Sequence, residues 1–469
     1  MKYRGYFYVG LATTLNIFLY ALTFGRYLWL EGRVRGGVFK NWGKRFRYRP
    51  KNFEQPTTEA RIVELVRNAK ELRFFGSAHS FNDGVVADET LVSLDKFTGM
   101  IPRSDLPADQ RAFKGGTRVR DVVRLLLDQG LAFEALPSHD AQSIAGILST
   151  DVHGTAGKRW DWGFVSDSVV SIKIVDGLGV IHECTPDDDL FKAAIGGVGA
   201  VGIITEVVIR AVNRFKVEQN FEISDLSYVE ENFESLLAEN EHLSFYLFPF
   251  TQKCQISKWN QTDKPQTFLG PLWEFVSISW DALSAAWAGN AIAYLGWLPK
   301  LSTWAHRRKW GTDLVMESNQ AFNRTIYHLH QELEFTVPFE QTFAICRRFI
   351  SLYEEMYARK RLPYALFEVR FTPAGHNSTL IGAGRERKCT WIDLVLNDSH
   401  GFEDYYAKAE ELIKELGARP HLGKFCRRHR KEDLAKIHGE NFARFLELAQ
   451  TYDPDQKFTN EFTRRMFWN

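Results

Sequence analysis

The stretch RFFGSAHSFND, residues 73–83, ends an apolar, strand-like run in a string of small residues around one histidine, His79. Gly76, Ser77, Ala78 and Ser80 let backbone amides come close to a phosphate, and the serines add hydroxyls. Taken alone, the segment reads more readily as a turn with an incidental histidine. A second stretch shifts the balance. LPSHDAQSIAGILSTDVHGT, residues 136–155, is again rich in Gly, Ser and His and again adjoins strand-like sequence. Two such loops can hold the two ends of one large phosphate-bearing cofactor.

Working outward, TTEARIVELVRNAK (57–70) predicts a helix capped by Thr58, with Ile62, Leu65, Val66 and Ala69 at helical spacing. TLVSLDKF (90–97) reads as a strand and RVRDVVRLLLDQG (118–130) as a helix ending at Gly130. VVSIKIVDGLGVIHEC (169–184) reads as a β-hairpin turning at Asp176–Gly179. Short strands and helices alternate to about residue 212, which predicts an α+β domain. GVGAVG (197–202) matches GxGxxG formally, but a helix precedes it and a strand follows. The dinucleotide motif needs the reverse order, so these glycines read as a helix-to-strand turn.

A chain of 469 residues exceeds one ordinary core, so two domains are expected. Net charge is +1, which gives no basic field for nucleic acid. The five cysteines are scattered without a CxxC pair, so neither a disulfide framework nor a metal centre is expected. From Tyr6 to Phe24 no charge occurs, enough for a helix across the roughly 30 Å hydrocarbon layer. The heavier positive flank is C-terminal, from Arg26 to Arg49, which predicts an N-terminal hydrophobic anchor with the main body cytoplasmic, the alternatives being a cleaved signal segment or a buried helix. In GPLWEFVSISWDALSAAWAGNAIAYLGWLP (270–299), Trp273, Trp280 and Trp287 recur every seventh residue. That stripe fits a core-facing helix or one lying in a membrane interface, with HRRK (306–309) beside it.

Six segments in one order give a resemblance: NWGKRFRYRP (41–50), FFGSAHSFND (74–83), SIAGILSTDVHGT (143–155), FEVRF (367–371), RPHLGK (419–424) and DPDQKFTNEF (453–462). Together they resemble the FAD-linked oxidases of the vanillyl-alcohol oxidase superfamily, in the branch of sugar-1,4-lactone oxidases (gulonolactone and arabinonolactone oxidase) and alditol oxidases. The resemblance implies a two-domain fold. An FAD-binding PCMH-type domain would span 41–212, after an anchor and basic linker at 1–40. A cap on an antiparallel sheet would follow at 213–415, and 416–469 would return to the flavin.

It also implies covalent attachment of FAD through His79. Gly76, Ser77, Ala78, Ser80, Pro137, Ser138, Gly146, Ser149, Thr150, His153, Gly154, Ile203 and Lys424 are the implied cofactor contacts. Ala78 stands where the family has glycine, and Leu422 where it has tryptophan. Glu368 and Arg370, two apart on a strand, share one face. With Lys424 they are the implied catalytic residues, and with Ser138 the implied substrate contacts. Proline at Pro137 is associated by the same resemblance with use of oxygen.

The implied reaction is oxidation of a CH–OH group of a sugar lactone by hydride transfer to FAD, with O2 reduced to H2O2. TLIGAGRERK (379–388) lacks the pattern usual after E-x-R, which leaves the substrate open. The alternatives are an alditol oxidase acting on a polyol, a dehydrogenase serving a membrane electron acceptor, and a membrane-tethered flavin-binding protein without turnover.

Overall fold

The structure, a computed structural model, describes residues 31–160, 163–306, 312–323 and 328–469, with Phe18 alone before them. The hydrophobic segment at 6–24 lies outside the described residues, Phe18 apart, as do 307–309 of the basic run. Among the described residues no helix is long and apolar enough to cross a membrane.

Two sheets build the first half. Strands Asn52–Glu54, Thr90–Ser93 and Leu72–Phe75 pair in parallel. Helix Glu59–Asn68 packs beside them through Ile62, Leu65 and Val66, capped by Thr58 Oγ1 as the sequence predicts. A five-stranded antiparallel sheet runs Ile181–Cys184, Val169–Val175, Ile203–Arg210, Gln110–Lys114, Met100–Ile101. The expected hairpin is there, with Val175 opposite Ile181. The turn 196–202 joins helix Asp189–Ala194 to strand Ile203–Arg210.

An eight-stranded antiparallel sheet forms the second half, in the order Leu314–Glu317, Lys216–Asp225, Lys253–Gln261, His242–Leu247, Ala365–Thr372, Cys389–Asn397, His330–Pro338, Arg419–Pro420. Its central strands alternate strictly, so each face has its own character. Phe245, Leu333, Phe335, Phe367, Val369, Ile392 and Leu394 pack on helices Thr342–Arg359 and Phe402–Glu415. The opposite face carries Tyr246, Glu332, Glu334, Glu368, Arg370 and Asp393, and register sets Tyr246, Glu368, Asp393 and Glu334 in one row across four strands.

The stretch expected as a basic linker before residue 41 is folded from Arg33 onward. Arg33–Arg35 and Val38–Lys40 form a hairpin, completed by Arg47–Tyr48. Apolar Val34 and Phe39 alternate with the arginines; Phe39 is fully buried, and Gly36 and Gly37 turn the chain at positive φ. The tryptophan-rich segment is helical over Gly270–Leu283, passes through a π-turn, and continues over Asn290–Leu295. Trp273, Trp287 and Trp297 are 48%, 44% and 54% exposed. The core-facing reading of the stripe therefore fails for Trp273 and Trp287, whereas Trp280 is half-buried; the small residues Ala282, Ala285 and Ala293 face inward.

Candidate active site

The loop 76–82 leaves the C-terminal end of strand Leu72–Phe75 and is held from three sides. Trp42 N–H donates to Ala78 O (3.0 Å), Gly32 N–H to Ser77 O (2.6 Å), and Phe81 N–H to Gly423 O (3.0 Å). Asn82 Nδ2 donates to Lys424 O (3.0 Å) and to Leu422 O. Buried Arg73 donates to Gly84 O (2.7 Å), Phe458 O (2.6 Å) and Val198 O (2.8 Å), so one guanidinium ties this loop to the C-terminal segment and to the glycine turn. Ala78 sits at φ +49, in the left-handed region, a conformation that glycine adopts with less strain. Gly76 is required by proximity: a Cβ there would meet Ser143 Oγ at 2.0 Å, where the two loops touch. Ser143 itself caps helix Ile144–Ser149 by accepting from Gly146 N–H (3.2 Å).

Between the two loops, the glycine turn and the polar face of the large sheet lies a cavity of about 1540 Å³, measured out to its mouth. Gly76, Ser77, Ala78, His79, Ser80, Pro137, Ser138, Gly146, Ser149, Thr150, His153, Ile203, Glu368, Arg370 and Lys424 all line it. Gly154 does not. Its N–H donates to Gly163 O (2.9 Å) beside the His153–Phe164 bridge, which turns it into a smaller neighbouring cavity. Val198, Gly199 and Gly202 of the rejected dinucleotide motif also line the large cavity, so the turn bears on the site without being a Rossmann loop.

His79 is 7% exposed, stacked on Trp42 with ring centroids 4.5 Å apart, and 4.3 Å from the ring of His139. Burial pushes its imidazole down to about 3, so the ring is neutral at physiological pH. Its Nε2 is buried with no hydrogen-bond partner among the described residues. A buried nitrogen left open in a large cavity, beside loops too close for side chains, fits an FAD-type cofactor with an anchor at this ring.

At the other end the sheet supplies charge. Arg370 Nη2 donates to Glu334 Oε1 (2.9 Å), with Arg370 Nε 3.8 Å from Glu368 Oε1. Tyr246 O–H donates to Glu368 Oε1 (2.9 Å). Lys424 Nζ contacts Glu332 and lies 3.4 Å from Asp393 Oδ2 and 3.7 Å from Glu334 Oε2. Burial alone would raise all three carboxyls. Lys424 outweighs it at Glu332, helped by His330, and Lys424 with Arg370 and His153 outweighs it at Glu334, so both stay well below the usual carboxylate range. Asp393, buried and facing those two anions, is driven well above it. These carboxylates in turn overcome the desolvation of Lys424 and Arg370 and raise both, keeping them cationic.

Glu332, Glu334, Asp393 and Tyr246 were not among the residues expected from sequence. The signal was available in HQELEFTVP (330–338), with acids at alternate positions of a buried strand, and in CTWIDLVLN (389–397), with one acid among apolar residues of another. His139 and Trp42 lay inside quoted segments, yet nothing in their spacing marks them as neighbours of His79.

Comparison with known proteins follows the same division. Residues 207–466 match the family model of D-arabinono-1,4-lactone oxidase, and residues 50–185 match that of an FAD binding domain. The D-arabinono-1,4-lactone oxidase of Candida glabrata is 30% identical over 245 residues, 50% of this chain and 46% of that protein. The chain thus aligns with about half the length of that relative. Mouse L-gulonolactone oxidase is 23% identical over 448 residues, 92% of this chain and 99% of the mouse protein. Among solved structures, a histidine-to-alanine variant of cholesterol oxidase from Brevibacterium sterolicum superposes with a TM-score of 0.76 at 18% identity, covering 93% of this chain and 98% of that one. That likeness concerns the fold.

Proposed function

Because the chain belongs to the D-arabinono-1,4-lactone oxidase family, we propose that it is an FAD-dependent oxidoreductase that oxidises a hydroxyl of a sugar-1,4-lactone. The observation that carries this reading is the placing of Glu368, Arg370 and Lys424 in the wall of one cavity with both small-residue loops. FAD would be held by the loops around His79 and Gly146, and when bound it supplies the two-electron acceptor. Glu368, steadied by Tyr246, is placed to take the proton of the substrate hydroxyl. Arg370 draws charge from the hydroxyl oxygen as the carbonyl forms, and Lys424 presents a fixed cation to negative charge developing on the accepting side. Ser138 would contact the substrate. Pro137, the residue that the family resemblance associates with use of oxygen, supports O2 as final acceptor with H2O2 as product.

Oxygen uptake and peroxide release measured with aldono-1,4-lactones and with alditols test the proposal. Lactones are expected to drive both, with kcat/KM at least tenfold above that for any alditol. Faster turnover of alditols, or substrate reduction of the flavin without oxygen uptake, would move the reading to an alditol oxidase or to a dehydrogenase.

Membrane association is a second reading, supported by the exposed aromatic face. Trp273, Trp287 and Trp297 are exposed with Phe268 and Leu295 along the helical segment and its flanks at 268–297, a composition suited to the headgroup boundary. A Trp273→Ala/Trp287→Ala/Trp297→Ala triple variant is expected to lose flotation with anionic phosphatidylserine vesicles. Flotation equal to wild type would remove this face from the interaction.

A further inference from the structure

The polar row of the large sheet does not stop at Glu368 and Arg370. Strand His242–Leu247 continues it through His242, Ser244 and Tyr246, every second residue on the face that carries Glu368. Across the next ladder His242 stands opposite Trp259. These residues border a second, smaller cavity, which shares Ser138, Tyr246, Glu368 and Arg370 with the first. Its walls are apolar in part, from Leu136, Ala321 and Phe322.

What sets this recess apart is its unused hydrogen-bonding capacity. Ser244, 1% exposed, and Trp259, 8% exposed, both line it. Among the described residues Ser244 Oγ and Trp259 Nε1 have no hydrogen-bond partner. Burying a hydroxyl and an indole N–H unpaired is costly, and native proteins keep few such groups. An apolar-walled recess with convergent polar groups, opening beside the reacting carboxylate and guanidinium, is built for a small molecule with both CH and OH along its length. The indole is a donor only, whereas the serine both donates and accepts, so two adjacent hydroxyls can be met at once.

We propose that this second cavity binds the hydroxylated exocyclic tail of the lactone, with Ser244 and Trp259 setting the tail length that is preferred. The inference rests on the lactone reading above. It places the ring of the substrate at Glu368 and Arg370 and the carbon chain beyond it towards Trp259.

The test compares L-gulono-1,4-lactone, whose tail has two hydroxyls, with D-arabinono-1,4-lactone, whose tail has one, on wild type, Ser244→Ala and Trp259→Phe. Each substitution is expected to raise KM for the two-hydroxyl tail about five- to twentyfold and for the one-hydroxyl tail less than threefold, with kcat nearly unchanged. Flavin content and the flavin absorption spectrum report whether each variant is intact. Trp259→Phe, which keeps most of the ring volume, guards against a collapsed cavity in place of a lost donor. Equal KM changes for both lactones, or none, in protein with normal flavin content would overturn the assignment. Wild-type protein that oxidises alditols but neither lactone would instead overturn the reading on which it rests.

Discussion

His79→Ala protein is expected to carry no flavin through acid precipitation, whereas wild-type protein keeps its flavin in the denatured pellet. Three features of the ring support the expectation. Its Nε2 is buried and unpaired in the wall of the large cavity. Burial holds the imidazole neutral, so a lone pair is available for bond formation. Stacking on Trp42 and crowding by His139 fix the ring in one orientation. The remaining cradle does not depend on His79: Gly76, Ser143 and the Arg73 bonds to Gly84, Phe458 and Val198 stay in place. The variant should therefore still bind FAD reversibly, and an absorption spectrum of pellet and supernatant separates the cases. Flavin released by acid from the wild type would end the covalent assignment and leave FAD binding intact. Wild-type protein that takes up no FAD at all would end both.

For Lys424→Met the expected result is normal flavin content with reduction by lactone slowed about 100- to 1000-fold, the loss typical when one preorganised group facing developing negative charge is removed. Lys424 is 16% exposed in its side chain and is held by contacts to Glu332, Asp393 and Glu334. Methionine keeps the length of the chain and removes the cation. Glu332 would then retain His330 and His139, and Glu334 Arg370, His153 and His421, as opposing partners, so with the strongest cation gone burial would push both pKa values upward. That shift is why the variant should fold and still hold flavin. Anaerobic stopped-flow reduction gives the rate directly, free of any effect on oxygen. An unchanged rate would remove Lys424 from the chemistry and leave it a partner of buried carboxylates.

Much of the site was legible in order along the chain because loops that contact a phosphate-bearing cofactor need particular residues. RFFGSAHSFND and SIAGILSTDVHGT announce themselves by small side chains where the backbone must come close, and Gly76 against Ser143 shows that need in the structure. FEVRF was legible for another reason: a two-residue spacing on a strand puts both charges on one face whatever the strand pairs with. Glu332 and Asp393 escaped notice because an acid at alternate strand positions usually faces water. Gly154 lines the smaller cavity rather than the large one, beside a bridge between His153 and Phe164 that residue types do not reveal. The tryptophan stripe had the right period for a buried helix, yet the helix turned its alanines inward.

The sequence by itself determined the α+β alternation, the cofactor loops, the pairing of Glu368 with Arg370 on one face, and the absence of any bulk charge that would favour nucleic acid. All of these depend on local spacing or on simple sums over residues. Only the tertiary structure decided that Lys424, in a loop after strand Arg419–Pro420, would sit among Glu332, Glu334 and Asp393, and in which direction each carboxyl would shift. It also decided that Ser244 and Trp259 would open a second cavity beside the first. Such facts arise from the register of eight strands whose partners lie far apart in sequence. A buried charge or an unpaired hydroxyl takes its chemistry from what that register places within a few ångströms of it.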